Sequence, residues 1–252
     1  MDSLPQTRCR HLHVFIVLLV SLSCAHAWVV PRIDTAPDPI TAVPALAIEP
    51  LAGDVWLHRS WFRLPSGPFP SNGLLVCRPG AGLLVDTAWT LADTRLLLAE
   101  AARKGCPVTA LIVTHFHDDR LAGLSLLLES GARTWARADT PGLAKLPDWK
   151  PQRLPDDGVV EGVEVFFPGH AHAPDNVAVL VPEASVLFGS CMVRDAGDRT
   201  PGNLSDANLT TWPESARRLV ARFSAPRIVV PGHGDPGGKE LLTHTLELVS
   251  PK

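Results

Sequence analysis

Residues 114–120, with the sequence THFHDDR, constrain the fold of this chain more than any other segment. They stand between two apolar stretches, so the order indicates a buried strand, a short loop and a helix. His115 and His117 are two residues apart at the strand end, which lets both rings point to one side, and Asp119 lies where the loop enters the helix. Two imidazoles and a carboxylate that converge form a transition-metal site, for which zinc is the usual occupant.

Further candidate ligands follow apolar runs later in the chain and fall in glycine-bearing loops, where functional residues collect. These ligands are His170, His172, Cys191 and His233. If one of the two neighbouring histidines is taken, the chain offers six ligands, or three for each of two metal ions. Three protein ligands leave a zinc ion the open position that a catalytic site needs.

Several strings in the chain resemble those of the class B metallo-β-lactamases, subclass 1. They are residues 114–120, 174–176 (PDN), 189–191 (GSC), 202–208 (GNLSDAN) and 230–234 (VPGHG). The resemblance runs from about Leu51 to Val249, and residues 70–74 (PSNGL) and 85–89 (VDTAW) are most similar to the VIM-type enzymes of that subclass. It implies an α+β fold, a four-layer αββα sandwich with the active site at one edge of the two sheets.

The same resemblance implies two zinc ions per chain. One would be bound by His115, His117 and His172, and the other by Asp119, Cys191 and His233. His172 is chosen over His170 by register, because the family's histidine stands three residues before its Asp-Asn pair, and His172 stands three residues before Asp175. His170 is either a polar loop residue or a residue that supports the ligands, and the sequence leaves both open.

Other residues take their predicted roles from the resemblance. Asp119 and Asn203 are the predicted catalytic residues, with Asn203 near the carbonyl oxygen of the substrate. Asp86 and Arg120 are predicted to support the metal ligands, although Asp86 could also be an ordinary buried turn residue. Arg120 would lie against Asp119 or Cys191 and balance their charge.

Substrate contacts are predicted for Arg194, Asn203, Trp61 and Phe62. Arg194 stands three residues after Cys191, where many relatives carry a lysine for the substrate carboxylate, so the chain departs from the family pattern there. Arg199 in the same loop is a second candidate for that carboxylate. Residues 59–69, which contain the two aromatic residues, resemble the family's mobile loop over the substrate.

The predicted activity is zinc-dependent hydrolysis of the β-lactam amide bond in penicillins, cephalosporins and carbapenems, which gives antibiotic resistance. Two alternatives remain: a thioester or lactone hydrolase of the same fold, and a non-catalytic exported zinc-binding protein. Relatives of the first kind usually carry a histidine where this chain has Arg120, and a bridging aspartate where it has Cys191. Both differences favour the β-lactamase.

The N-terminal residues are typical of a secretory signal. Arg8 and Arg10 supply positive charge, residues 14–22 form an apolar core too short for a comfortable membrane span, and a small-x-small cleavage site follows. We therefore predict a signal peptide at residues 1–27, a periplasmic protein, and no stable membrane association after cleavage. A lipid anchor on Cys24 is the weaker alternative.

The organisation of the remaining chain is predicted from composition. The Pro- and Ala-rich residues 28–50 predict a loosely ordered lead-in to a single domain at residues 51–252. The formal net charge of −3 gives no reason to expect a nucleic acid partner, and we expect a monomer with a small-molecule β-lactam substrate. Cys77 and Cys106 could pair in an oxidising compartment or could both be buried apolar residues.

Apolar periodicity locates the main elements. Short apolar runs that alternate with turns at residues 54–85 predict antiparallel strands. Helices are predicted at residues 90–103, 121–128, about 213–223 and about 239–249, and further strands at 158–193 and 227–230. Thr211 is the predicted cap of the third helix.

Overall fold

The computed structural model describes residues 42–251. The predicted signal peptide at residues 1–27 lies outside the described residues, and so does most of the predicted lead-in. The described end of the lead-in is part of a strand, because β1 (Ala47–Ala52) pairs antiparallel with β2 (Val55–Leu64). The predicted domain start at residue 51 is therefore corrected to a point before Ala47, since cross-strand hydrogen bonds hold this segment in a sheet.

The described residues form two mixed sheets. The first contains, in spatial order, β1, β2, β3 (Gly67–Arg78), β4 (Ala81–Val85), β5 (Val108–Ile112), β6 (Arg133–Ala136) and β7 (Gln152–Arg153). The second contains, in spatial order, β12 (Ile228–Pro231), β11 (Val186–Ser190), β10 (Ala178–Val181), β9 (Val163–Phe166) and β8 (Asp157–Val160). β2 to β4 are antiparallel as predicted, whereas β4 to β7 and the pair of β11 and β12 run parallel.

Helices connect many of these strands. They are α1 (Leu91–Arg103), α2 (Asp118–Leu121), α3 (Leu124–Glu129), α4 (Thr140–Leu143), α5 (Trp212–Arg222) and α6 (Glu240–Val249), with a short 3-10 helix at Pro182–Ala184. Thr90 caps α1, since its Oγ1 accepts a hydrogen bond from the Asp93 amide at 3.0 Å. Thr211 does not cap α5 as predicted, because its hydroxyl donates to the carbonyl oxygen of His170 at 2.7 Å. None of the helices in residues 42–251 has the length and hydropathy that a membrane span requires.

The helix predicted at residues 121–128 is divided into α2 and α3 at Gly123. A Cβ on residue 123 would lie 2.2 Å from Thr94 Oγ1 on α1, so only glycine lets the chain between α2 and α3 approach α1 this closely. The Gly123 amide donates to Thr87 Oγ1 at 3.0 Å. The break therefore follows from a tertiary contact that the apolar periodicity does not encode.

Three apolar clusters divide the domain into four layers. Between the sheets lie Leu74, Val85 and Ile112 of the first sheet with Val179, Phe188 and Val230 of the second. Outside the first sheet, Leu84 and Leu111 cluster with Leu97 of α1 and Leu127 of α3. Outside the second sheet, Leu187 and Val229 cluster with Trp212 and Leu219 of α5 and Leu241 of α6. Burial of each large side chain stabilises the fold by ~1.5–3 kcal/mol, and the predicted αββα sandwich is confirmed.

Cys77 at the end of β3 and Cys106 before β5 form a disulfide, with their Cα atoms 5.3 Å apart. Of the two alternatives that the sequence leaves open, the structure has the paired one. Cys191 is then the free cysteine of residues 42–251, and it is buried. Its thiol is therefore available as a ligand.

One edge of the sandwich collects the loops that carry the predicted site. β4 and β5 run parallel, as do β11 and β12, so the carboxyl ends of each pair meet at one edge. Asp86 follows β4 and residues 114–120 follow β5, while Cys191 follows β11 and His233 lies just beyond β12. The strand order thus brings together residues that are far apart in the sequence.

Candidate metal centre

Three histidines form the first candidate ligand cluster. His172 Nε2 lies 3.1 Å from His117 Nδ1, and the ligand nitrogens of His115, His117 and His172 lie within 4.8 Å of one another. His115 is fully buried, and its Nε2 has no hydrogen-bond partner among the described residues. A buried ring nitrogen without a partner is costly, so this atom fits a metal ligand better than a core residue.

Burial also sets the protonation of these rings. It lowers the pKa of His115 well below its usual value, and it lowers the pKa of His172 to about 3, with the other histidines as a further cause. Burial likewise lowers the pKa of His233 to about 4. Metals bind the neutral imidazole, so the fold holds these rings in the form that can bind a metal ion.

Asp119, Cys191 and His233 form the second candidate cluster. Cys191 Sγ lies 3.2 Å from His233 Nε2 and 3.6 Å from Asp119 Oδ2, and His233 Nε2 lies 3.5 Å from that same oxygen. Zinc bonds of about 2.0–2.3 Å put tetrahedral ligands roughly 3.3–3.7 Å apart. Asp119 and Cys191 also group with His115 within 4.8 Å, so the two clusters adjoin.

Arg120 provides the positive charge behind the second cluster. Its guanidinium is fully buried, donates to the Asp119 carboxylate and lies 3.4 Å from Asp86 Oδ2. Burial alone would raise the pKa of Asp119, but Arg120 together with His233 and His115 outweighs burial and holds that pKa well below the usual range. Burial raises the pKa of the Cys191 thiol, and Arg120 offsets this only in part. A thiolate at this position therefore needs a bound cation as well.

Asp86 contacts a residue next to each cluster, Thr114 beside His115 and Arg120 beside Asp119. Its backbone is left-handed, with φ 62°, and burial raises its pKa to about 7. Its Oδ1 accepts from the Thr114 amide and its Oδ2 from the Thr114 hydroxyl, both at 2.7 Å. This contact fixes the residue directly before His115, and the supporting role of Asp86 stays a prediction.

A cleft of about 550 Å³ opens above the ligands. It is lined by Phe62, Leu64, Phe69, Trp89, His117, Asp118, Asp119, Ala122, His172, Cys191, Asn203 and His233. Phe62 stacks on Trp89 with ring centroids 5.3 Å apart. Trp61 does not line the cleft, so its predicted substrate contact is corrected. Side chains alternate along a strand, and because Phe62 on β2 faces the cleft, Trp61 faces the other side of the sheet. Trp89 and Phe69 are wall residues that the sequence analysis missed.

The predicted loop over the substrate is the tip of the hairpin between β2 and β3. The turn falls at Pro65 and Ser66, between strands ending at Leu64 and starting at Gly67. Asn203 reaches the cleft from the opposite side, and its Oδ1 accepts from the Ser205 amide at 3.1 Å and hydroxyl at 2.8 Å. That contact leaves the amide NH2 of Asn203 as its donor toward other groups.

Arg194 does not line the cleft. Its side chain is buried and pairs with Asp198 Oδ2 at 2.8 Å, and a Cβ on Gly202 would lie 2.7 Å from its guanidinium. The prediction that Arg194 binds the substrate carboxylate is corrected accordingly. The Arg194 guanidinium already forms an ion pair with Asp198, and Gly202 of the same loop packs against it. Arg199 is exposed, so it stays a candidate for that contact.

Two supporting residues escaped the sequence analysis. Asp206 Oδ2 lies 3.0 Å from His117 Nε2, and the Ser71 hydroxyl donates to the carbonyl oxygen of Asp119 at 3.2 Å. If Asp206 accepts from Nε2–H, His117 keeps Nδ1 free for a metal. Asp206 lies within the family-like string at residues 202–208, but the string does not indicate that Asp206 contacts His117.

We expect His172→Ala to lose tight metal binding at the first cluster, whereas His170→Ala should cost far less. The reason is geometric: His172 Nε2 faces His117 Nδ1, while His170 Nε2 lies 2.8 Å from the carbonyl oxygen of Asp206. Metal content per chain after dialysis, measured by atomic emission for both variants, checks this. The reverse order of effects would show that the assigned register is off by two residues.

Comparison with known proteins gives consistent matches. The profile of the Metallo-beta-lactamase superfamily matches residues 66–233. The chain is 34% identical over 212 residues to Metallo-beta-lactamase type 2 of Bacillus cereus, covering 81% of this chain and 82% of that protein. It is 34% identical over 216 residues to the protein of the same name from Bacteroides fragilis, covering 81% and 86%.

Solved structures agree with these matches. The crystal structure of DIM-1 metallo-beta-lactamase superposes with a TM-score of 0.77 at 35% identity, covering 82% of this chain and 98% of that one. The metallo beta lactamase from Hirschia baltica gives 0.78 at 32% identity, covering 83% and 100%. The finer likeness to VIM-type enzymes stays a prediction. The span matched by the profile includes the residues of both clusters.

Proposed function

The chain belongs to the metallo-beta-lactamase superfamily, and on that premise we propose that it hydrolyses the amide bond of β-lactams with two bound zinc ions. The observation that carries this proposal is the pair of adjoining three-ligand clusters, five of whose six residues line one cleft. The chain is a hydrolase, and the names of its relatives support β-lactams as its substrates. Penicillins, cephalosporins and carbapenems are the predicted classes.

The donor set of the two clusters fits zinc. His115, His117 and His172 would hold one ion, and Asp119, Cys191 and His233 the other. Imidazole nitrogens and a thiolate are ligands that zinc prefers over the hard cations. When bound, zinc lowers the pKa of water to about 7 and so supplies a nucleophile at neutral pH.

Hydrolysis adds the water oxygen to the carbonyl carbon, breaks the carbon–nitrogen bond and moves one proton to the nitrogen. Asp119 is ionised at neutral pH because Arg120 keeps its pKa low. It can therefore accept a hydrogen bond from the attacking water and orient it, while its low pKa makes it a poor final site for the proton. Asn203 can donate its amide NH2 to the carbonyl oxygen, where negative charge develops.

The aromatic wall of the cleft supplies apolar binding surface. Phe62 and Trp89 stack above the ligands, and Phe62 remains 44% exposed. An apolar substituent of the substrate could cover that exposed ring and exclude water from the site. Among the described residues that line the cleft there is no lysine or arginine. Arg199 lies outside this lining too, but it is exposed, whereas Arg194 is buried against Asp198. Arg199 is therefore our candidate for the substrate carboxylate.

We also propose export to the periplasm. The signal features of residues 1–27 support it, and so does the disulfide of Cys77 and Cys106, because disulfides persist in oxidising compartments. A monomer with a small-molecule substrate, without a nucleic acid partner, stays our prediction.

A chelator is expected to abolish hydrolysis of a chromogenic cephalosporin by the purified protein, and added zinc to restore it. The reason is that the nucleophile depends on the metal rather than on a serine side chain. Clavulanate, which traps a serine acyl-enzyme, should leave the rate unchanged. Initial rates measured with and without each reagent check the expectation.

Two results would contradict the proposal in different ways. Hydrolysis that resists the chelator or is blocked by clavulanate would refute the zinc mechanism. If the zinc-loaded protein left a penicillin, a cephalosporin and a carbapenem intact, the substrate class would be wrong, and thioesters and lactones would be the next compounds to test.

A further inference from the structure

Ser190, the last residue of β11, lies in a backbone conformation that favours glycine. Its φ is 50°, and the residue is fully buried. Its carbonyl oxygen accepts from the Gly232 amide at 2.8 Å and the Val193 amide at 3.1 Å, so its neighbours hold this left-handed conformation in place. A side chain at such a position costs free energy that glycine would not. A serine at this position therefore indicates a role for its hydroxyl.

The hydroxyl belongs to a buried hydrogen-bond chain. Ser190 Oγ lies 2.7 Å from Thr114 Oγ1 and 3.5 Å from His115 Nδ1. Thr114 Oγ1 in turn lies 3.2 Å from His115 Nδ1 and 2.7 Å from Asp86 Oδ2. A carboxylate, two hydroxyls and an imidazole thus follow one another, and all of these residues are buried.

The direction of each hydrogen bond follows from the carboxylate end. Both oxygens of Asp86 face groups that can only donate, since the Thr114 amide lies 2.7 Å from Oδ1 and the Arg120 guanidinium 3.4 Å from Oδ2. Both oxygens therefore accept, and the Thr114 hydroxyl proton points to Oδ2. The oxygen of Thr114 then accepts from the Ser190 hydroxyl, and both oxygens present lone pairs to His115 Nδ1. Nδ1 must therefore carry the ring proton.

We propose that Ser190 is a positioning residue that fixes His115 in the tautomer with Nε2 free for zinc. That nitrogen is the buried atom that has no partner among the described residues. Without the Ser190 hydroxyl, His115 Nδ1–H keeps only one acceptor, Thr114 Oγ1 at 3.2 Å. The ring proton is then held less firmly on Nδ1, and the tautomer with the proton on Nε2, which cannot bind a metal, becomes populated. The inference rests on the proposed zinc site.

Two variants separate the hydroxyl from the backbone. Ser190→Ala removes the hydroxyl and keeps the left-handed residue, whereas Ser190→Gly removes the hydroxyl and relieves the backbone. We expect both to weaken zinc binding at the three-histidine cluster by about tenfold or more. The metal-free Ser190→Gly protein should melt at a higher temperature than metal-free Ser190→Ala. Ser190→Gly would then be more stable than Ser190→Ala and still bind zinc more weakly than the parent protein.

Ser185→Gly is the matched control. Ser185 is also left-handed, with φ 53°, but it follows the 3-10 helix at Pro182–Ala184, and its hydroxyl oxygen accepts from the Arg227 amide instead of a residue of the site. It should keep the zinc affinity of the parent protein.

Zinc affinity is measured by competition with a chromophoric chelator, and the tautomer of His115 by ¹⁵N NMR of the metal-free protein. The parent should show the proton on Nδ1 and the two Ser190 variants a mixture. Parental zinc affinity and an unchanged tautomer in Ser190→Ala would overturn the proposal, as would an equal loss of affinity in Ser185→Gly. No β-lactam enters these measurements, so a failure of the proposed activity would be seen separately, in the hydrolysis assay.

Discussion

Cys191→Ser is expected to lower kcat/KM for a cephalosporin by about a hundredfold or more and to weaken binding of the second zinc ion. Cys191 Sγ lies 3.2 Å from His233 Nε2 and 3.6 Å from Asp119 Oδ2, so it completes the second cluster. A thiolate is a soft ligand that zinc binds strongly, while a serine hydroxyl is a poor one. The change preserves the shape of the side chain and removes the ligand.

Zinc per chain by native mass spectrometry and steady-state rates check this expectation together. Burial already raises the pKa of the Cys191 thiol, and a hydroxyl is harder still to ionise, so excess zinc should restore only part of the rate. The double variant Cys77→Ser/Cys106→Ser removes two other sulfur atoms and should keep both zinc ions. If Cys191→Ser retained parental stoichiometry and rate, Cys191 would not be a ligand.

The metal clusters could be predicted from the sequence because their signals are local. His115, His117 and Asp119 stand in one short loop after an apolar strand, and the other ligands also follow strands. Parallel strands bring such loops to a common edge. The family resemblance then showed which ligands would share an ion. It also selected His172 over His170, a choice that spacing alone leaves open.

The substrate wall could not be predicted in the same way. Arg194 forms an ion pair with Asp198, and the sequence does not show that the guanidinium is already paired. Trp61 and Phe62 look equivalent in the sequence, but the pleat of β2 sends only Phe62 to the cleft, where it meets Trp89 from the loop after β4. Such choices are made by tertiary packing.

Contacts between distant residues were also hidden. Asp206 and His117 are separated by 89 positions, and the chain of hydroxyls through Ser190 crosses 76 positions to reach Thr114. Neither pair has a spacing that indicates contact. Each depends on how the two sheets and their loops meet at the edge of the sandwich, so the structure was needed to find them.

Arg120→Met is expected to destabilise the metal-free protein by ~3–5 kcal/mol, the usual cost of removing one partner of a buried ion pair. The guanidinium is fully buried between the carboxylates of Asp119 and Asp86, and it also donates to the carbonyl oxygens of Asn72 at 2.6 Å and Gly232 at 3.1 Å. Methionine fills much of the same volume without charge or donors. Two buried carboxylates and two buried carbonyl groups would then lose a partner.

The same variant should change the pH dependence of zinc binding. Without Arg120, burial dominates at Asp119, so the pKa of its carboxyl rises from the depressed value it has in the parent. A carboxyl must lose its proton to bind zinc, and the variant should therefore release the second ion at a higher pH than the parent does. Denaturant unfolding of the metal-free protein and zinc titrations across acidic to neutral pH measure the two effects.

Arg120→Lys is the matched control for charge against geometry. Lysine restores a positive charge but cannot reproduce the planar fork of donors, so zinc release should shift less than in Arg120→Met while stability recovers only in part. If Arg120→Met unfolded at the parental denaturant concentration and released zinc at the parental pH, the buried ion pair would have no part in building the second cluster. The low pKa of Asp119 would then need another source, and the two neighbouring histidines, His233 and His115, are the remaining candidates.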